Sequence, residues 1–229
     1  MASILTGSSL ESTLMAVEPL LLYDHPVSSN ALKVRFLLAE LGLDYERSHV
    51  PFTAPRPTGY VELNPFGRIP TLVEGDLVLS ESNAILRYLS DREGRDDLYP
   101  RPPRERAQVD GALDTWATLV RPKLLAAEDL AFMSTGDWET GGGKWEDAAD
   151  QVALAEAVQT ARSVLVNWER TIADNGTVTG RFSIADCCVG PVLWRWLRLP
   201  VDLDELPRTA AVQCAIQVHP SFLAARPIA

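Results

Sequence analysis

Cationic surface is what this 229-residue chain has least of. Against 31 acidic side chains stand 21 Lys and Arg, a net charge of −10. Binding to nucleic acid or to an anionic membrane requires a basic face, so the balance argues against both partners. No apolar run approaches the roughly 20 residues needed to span a bilayer. The opening stretch, MASILTGSSLESTLMAVEP, has no positively charged start and its apolar residues are interrupted, which excludes a secretory signal. Cysteine occurs three times, at Cys187, Cys188 and Cys214. That spacing supports neither a disulfide framework nor a metal site, and it makes a reducing cytoplasm the expected compartment. No internal repeat is visible.

The composition itself, 46% hydrophobic and 23% charged, is that of a folded soluble protein. The length leaves room for two modest units. Leu20–Tyr23 reads as a strand running into the turn Asp24-His25-Pro26. Ser28, Ser29 and Asn30 are all competent N-caps for the helix that follows, and Gly42 closes it. A second strand is predicted from Tyr45 to Val50, and a short helix from Thr58 to Leu63. The stretch Asn64–Arg92 then supplies a Pro-Phe-Gly turn, Ile69-Pro70 and two alternating runs joined by Gly75-Asp76, a hairpin signal. Ser80 precedes an apolar helical pattern at Ala84, Ile85, Tyr88 and Leu89 and is predicted as its N-cap.

After Arg92 the character changes. Gly94–Arg106 is charged, proline-studded and aperiodic, as a linker would be. A helix is predicted over Arg104–Phe132, kinked or divided at Pro122, with Trp116 and Val120 on its apolar face. Ser134–Lys144 reads as a connector. The clearest periodicity, Leu154, Ala157, Ala161, Leu165, Trp168 and Ile172, predicts a helix from Glu146 to Asn175. A further helix opens at Ser183, with Asp186 reaching back in a capping box and Phe182 as a hydrophobic staple against Cys187 or Cys188. Pro191 should bend it. One more helix precedes a break at His219-Pro220.

Three segments in this order resemble the cytosolic glutathione transferases, in particular the serine-type, phi- and theta-like members. They are LLLYDHPVSSNALKVRFLLAELGL, NPFGRIPTLVEGDLVLSESNAILRYL and FSIADCCVGPVLWRW, and the resemblance covers Leu20 to Pro227. It implies a thioredoxin-like α/β first domain (βαβ then ββα) over residues 19–93 that binds glutathione. A linker over 94–103 and an all-α domain over 104–229 would follow, with residues 1–18 a disordered extension. The implied activity is attack of a glutathione thiolate on small hydrophobic electrophiles, by a homodimer without metal. A glutathione-dependent isomerase or dehalogenase on the same scaffold, and a non-catalytic binding module, are the alternatives.

The chemistry needs a thiol of pKa near 8.5 to ionise, which a hydroxyl donor and a helix N-terminus can achieve together. Ser28, at the start of the first helix, matches the family's catalytic serine. Ser29 and Tyr23 are its rivals, and an N-cap without catalytic duty is the plainer reading of Ser28 itself. The resemblance further assigns Ile69 and a cis Pro70 to the backbone pairing of glutathione, and Glu81 and Ser82 to its γ-glutamyl end. Arg68 is placed on a glutathione carboxylate, with Lys33 and Arg56 as further local cations and Arg35 as structural. Val27, Trp116 and Val120 are expected to line the electrophile pocket.

Overall fold

The computed structural model describes residues 18–52, 55–133, 150–196, 199, 203 and 205–226. The expected N-terminal extension (apart from Glu18), the connector Ser134–Lys144 and the start of the helix predicted from Glu146 lie outside them.

Leu20–Asp24 forms strand β1, with Leu20 and Leu22 turned into the core. Helix α1, Ser29–Leu41, follows and ends on Gly42, whose φ of 66° is a left-handed conformation that glycine adopts without a Cβ penalty. Strand β2 is Tyr45–His49 and helix α2 is Thr58–Leu63, the latter as predicted to the residue. Strands β3, Thr71–Glu74, and β4, Leu77–Ser80, form the hairpin around Gly75-Asp76. The sheet order is β2-β1-β3-β4; β1 pairs parallel to β2, and the other pairings are antiparallel. Helix α3, Ser82–Arg92, completes the strand–helix–strand and strand–strand–helix order of the sequence reading.

Its N-cap is Glu81 rather than the predicted Ser80. Ser80 pairs with Thr71 as the last residue of β4, so the sheet ladder holds it extended before the helix can start.

The helical region begins with α4, Pro103–Thr115. The expected interruption at Pro122 is present in a specific form. Pro122 has no N–H to donate, and the chain widens into a π-helical turn over Trp116–Val120 just ahead of it, the Arg121 N–H reaching Trp116 O. Helix α5, Arg121–Glu128, and a second π-helical turn, Asp129–Met133, continue the rod.

Helix α6 is Gln151–Glu169, shorter than predicted. Thr171 N–H bonds back to Trp168 O, and the Glu169 carboxylate turns away to cap the next-but-one helix through Arg208 N, Thr209 N and Thr209 Oγ1. Ile172 is still buried, but beyond the helix end.

Helix α7, Ile184–Trp196, opens on the predicted capping box: Asp186 Oδ2 accepts from Ser183 N (2.9 Å) and Oδ1 from Val178 N (2.8 Å). Phe182, the expected staple residue, stacks on His219 at 4.4 Å, lies against Phe36 and packs on the core cluster that contains Cys187 and Cys188. Helices α8, Pro207–Gln217, and α9, Pro220–Ala225, finish the described chain. At Gly190 an added Cβ would sit 2.9 Å from Ile216 Cγ2, so the close approach of α7 and α8 requires glycine.

Helix α1 is the hinge of the architecture in the sense of packing. It is buried nearly all round its middle, with α3, α7 and α9 packed against it. Phe36, Leu37 and Leu38 are fully buried, each contributing about 1.5–3 kcal/mol of burial free energy. Phe222 of α9 meets Phe36 edge-on at 5.2 Å. The segment between α3 and α4 is tied to both sides: Arg95 pairs with Glu40 of α1, and the Ile184 N–H bonds to Leu98 O.

Candidate functional site

The register of the sheet decides where the site is. Tyr23 on β1 sits opposite Thr71, Thr71 sits opposite Ser80, and Asp24 lies beside His49. The end of β1, the start of β3 and the end of β4 therefore share one edge of the sheet. Ile69-Pro70 and Glu81-Ser82 directly flank β3 and β4, and Ser28 follows β1 after the turn His25–Val27, so the topology brings them to the same end of the sheet.

Ser28 is the N-cap of α1, with φ −70° and ψ 113°, and its Oγ accepts from Ala31 N at 3.2 Å. Accepting that bond leaves the hydroxyl proton free to be donated outward. Burial is near complete at 7% exposure, which weakens competition from water. Ser29 Oγ is engaged differently, accepting from Arg121 Nη2 at 3.2 Å. Tyr23 lies on the sheet face covered by α2, its ring 5.4 Å from that of Tyr60.

The Ile69-Pro70 peptide is cis. The β1–β3 ladder begins at Thr71, so the Ile69 peptide lies beyond its last pair. Two residues that the sequence reading passed over hold this corner. Asn64 Nδ2 donates to Arg68 O (2.8 Å) and to Thr71 Oγ1 (3.0 Å), and the Tyr60 hydroxyl bonds to the same two groups. Asn64 is 3% exposed, and an Asn set between the Pro-rich stretch and the start of a strand was the available clue.

Glu81 is exposed and has φ 68°, the only positive-φ non-glycine residue among those described. Its side chain makes no capping bond. The first amides of α3, beginning at buried Ser82, consequently keep the donor character of an uncapped helix end.

The cations are rearranged relative to expectation. Arg68 is exposed. Lys33 is buried, donating to Asn83 Oδ1 at 2.6 Å and contacting Cys188 Sγ at 3.6 Å, and burial pushes its pKa down. Arg56 donates to Gly67 O and Pro51 O, holding the loop before β3. Neither Lys33 nor Arg56 is therefore a free local charge. Arg35 is structural, as expected: it is buried, pairs with Asp24 and donates to Pro26 O.

All three residues expected in the electrophile pocket are buried or nearly so. Trp116 and Val120 are 2% and 1% exposed, and Trp116 packs on Trp168 at 5.0 Å. Aromatic and branched side chains at helical spacing have gone into the core, leaving no surface for a ligand. Val27, directly before Ser28, is 9% exposed, and its carbonyl is held by Arg195 Nη2.

Sequence reasoning also missed a charged cluster behind the loop. Glu128, fully buried, accepts from Arg121 Nη2 (3.3 Å), Arg195 Nη1 (3.1 Å) and Trp196 Nε1 (3.0 Å). The signal available was charge on otherwise apolar helix faces, in LLAAE and VLWRW. Among the described residues no group of three or more His, Cys, Asp or Glu side chains is placed to hold a metal ion, and no helix is long and apolar enough to cross a membrane.

Comparison with known proteins bears on this geometry. The sequence pattern of the glutathione S-transferase N-terminal domain matches residues 18–91. Glutathione S-transferase 3 of Zea mays is 34% identical over 173 residues, covering 73% of this chain and 74% of that protein. The maleylacetoacetate isomerase of Pseudomonas aeruginosa is 30% identical over 213 residues, covering 90% and 95%. Among solved structures, the theta class glutathione S-transferase of Xanthomonas axonopodis pv. citri with glutathione bound superposes with a TM-score of 0.79 at 26% identity, covering 93% of this chain and 99% of that one. With a thioredoxin-like first region, a helical second region and relatives of this extent, the chain belongs to the glutathione S-transferase family.

Proposed function

We propose that this protein is a glutathione transferase in which Ser28 activates the thiol. The observation that carries the reading is the convergence of Ser28, Ile69 and Glu81-Ser82 at one edge of the sheet, set by the β1–β3–β4 register. The γ-glutamyl ammonium faces Glu81 and its carboxylate faces the first amides of α3. The cysteinyl part pairs with the Ile69 backbone, and exposed Arg68 meets the outer carboxylate. Sulfur then lies at the N-terminus of α1, where the Ser28 O–H and the positive helix end favour the thiolate over the thiol. The thiol proton leaves to solvent. The thiolate forms a C–S bond with a small hydrophobic electrophile as the leaving group departs with its electron pair.

The glutathione-binding unit in this reading is 19–93, joined through 94–103 to a helical unit from 104 onward. A homodimer in the cytoplasm is part of the same proposal, and the three unpaired cysteines suit that compartment. A glutathione-dependent isomerase is the second reading, favoured by the near full-length similarity to the Pseudomonas isomerase. It would use the same thiolate and differ only in where the adduct breaks.

Retention on immobilised glutathione tests the binding half. Turnover of a generic aryl halide by native protein and by Ser28→Ala tests the chemistry. Equal activity in the two would overturn the assignment of Ser28.

A further inference from the structure

Ser28 is flanked by two residues that the helical region holds from behind. Before it, Val27 O accepts from Arg195 Nη2; after it, Ser29 Oγ accepts from Arg121 Nη2 at 3.2 Å. The two arginines come from different helices, α7 and α5, and both turn a nitrogen to the same atom, Glu128 Oε2. The other Glu128 oxygen is taken by Trp196 Nε1. One fully buried carboxylate therefore fixes both guanidinium groups, and through them both neighbours of Ser28.

A buried ion cluster of this kind is weak evidence for stability, since desolvating three charges offsets most of their attraction. It does fix orientation well, because a guanidinium is a rigid fork and each bond here is charge-assisted. We propose, resting on the transferase reading above, that Glu128 is a positioning residue for Ser28. Arg121 and Arg195 transmit its position to the loop, which keeps the Ser28 hydroxyl aimed at the thiolate. The groups facing this cluster are Asp129 beside Glu128, Arg195 from α7, and Lys33 from α1 near Arg121. Asp129 is held above the usual carboxylate range by burial and then by Glu128. A displacement of about 1 Å in a reacting group can cost on the order of a hundredfold in rate, so the clamp has catalytic consequences without touching glutathione.

The test compares native protein with Glu128→Gln, Glu128→Asp and Arg195→Gln. Amide hydrogen exchange over residues 25–31 is measured first, without ligand. The expected result is exchange about tenfold faster or more in Glu128→Gln and Arg195→Gln, with partial recovery in Glu128→Asp. Unchanged exchange overturns the inference whatever the protein's activity. The second readout is the thiol pKa of bound glutathione, followed by thiolate absorbance, with the split between kcat and KM. Positioning predicts that the pKa rises toward that of free thiol and kcat falls roughly ten- to a hundredfold. KM for glutathione stays nearly constant, because Ile69, Glu81 and Ser82 are untouched.

A purely electrostatic role for Glu128 predicts the opposite sign, since removing a negative charge would lower the thiol pKa. A purely structural role would lower Tm and leave pKa and kcat alone. Either outcome overturns the proposal. If Glu128→Gln does not fold, Arg195→Gln, at a partly exposed side chain, carries the same test. If native protein fails to bind glutathione while exchange still responds to Glu128, the transferase reading is what has failed.

Discussion

Two helices begin at the same edge of the sheet, and their N-termini are finished in opposite ways. At α1 the cap is closed: Ser28 takes a first-turn amide, is buried, and is gripped on both sides by arginines from the helical region. At α3 the cap is open: Glu81 is exposed, has φ 68°, and gives no side-chain bond to the amides below it. A closed N-terminus offers one well-aimed hydroxyl and a helix field, which suits activation of a thiol. An open one offers several unpaired N–H groups and an adjacent carboxylate, which suits recognition of an amino-acid head group. The division of labour between chemistry and binding is thus legible in how each helix starts.

Removing the hydroxyl at the closed end should have the largest effect. Ser28→Ala is expected to lower kcat/KM by roughly a hundredfold or more, by analogy with loss of a single donor to a developing or stabilised anion. Stability should fall by only about 1 kcal/mol from the lost cap. Steady-state kinetics beside chemical denaturation separates the two, and Ser29→Ala with the same rate loss would break the comparison.

A third helix start, at α7, is capped with no site near it, and so shows what capping alone contributes. Asp186→Asn should destabilise by about 1–3 kcal/mol through the strained or lost bonds from Val178 N and Ser183 N. Burial pushes the Asp186 carboxyl up to about 6 from its ordinary 3.8. The folded-state value is raised, so this group's favourable contribution is full below the ordinary value and is lost as pH rises through about 6. The penalty of Asp186→Asn should therefore be larger near about pH 4 than near about pH 7.5, measured by urea denaturation at both. A penalty that grows with pH would reverse the sign and refute the account.

At the open end the expected effects are smaller. Glu81→Gln should raise KM for glutathione by about tenfold, the loss of roughly one charge-assisted contact, and leave kcat nearly unchanged. A fall in kcat with constant KM would erase the distinction between the two helix starts. Glu81→Gly should relieve the positive-φ conformation and stabilise the fold by about 1 kcal/mol while weakening glutathione binding. Thermal denaturation and binding calorimetry on that one variant would show stability and affinity moving apart.

The parts of this arrangement that lie close in sequence could be read before the structure. Ser28 and Gly42 bracket α1, Gly75-Asp76 turns the hairpin, and Asp186 caps α7, each from signals within a few residues. What failed was long-range. Ser80 looked like a helix cap until pairing with Thr71 claimed it for the sheet. Trp116 and Val120 carried the right periodicity for a buried face, and only the position of Trp168 shows that this face is core and not pocket. Lys33 looked like a free cation because its partners Asn83 and Cys188 are 50 and 155 residues away. Glu128 closes the run LLAAE, and its reach to Val27 and Ser29 passes through Arg121 on its own helix and Arg195, 67 residues away in α7.

The covering of Phe36 has a consequence for how the chain is made. This ring, fully buried in α1, is closed over by Phe182, His219 and Phe222, all from the far end of the sequence. During synthesis the sheet and α1 emerge before these residues, and N-terminal units generally begin to fold as they appear. The part of α1 that Phe222 covers then stays open until α9 has emerged. Nascent chains stalled ahead of Pro220 are expected to crosslink to holding chaperones through α1, and chains released with α9 in place are not. Helix α9 is thus a late-made lid on an early-made helix.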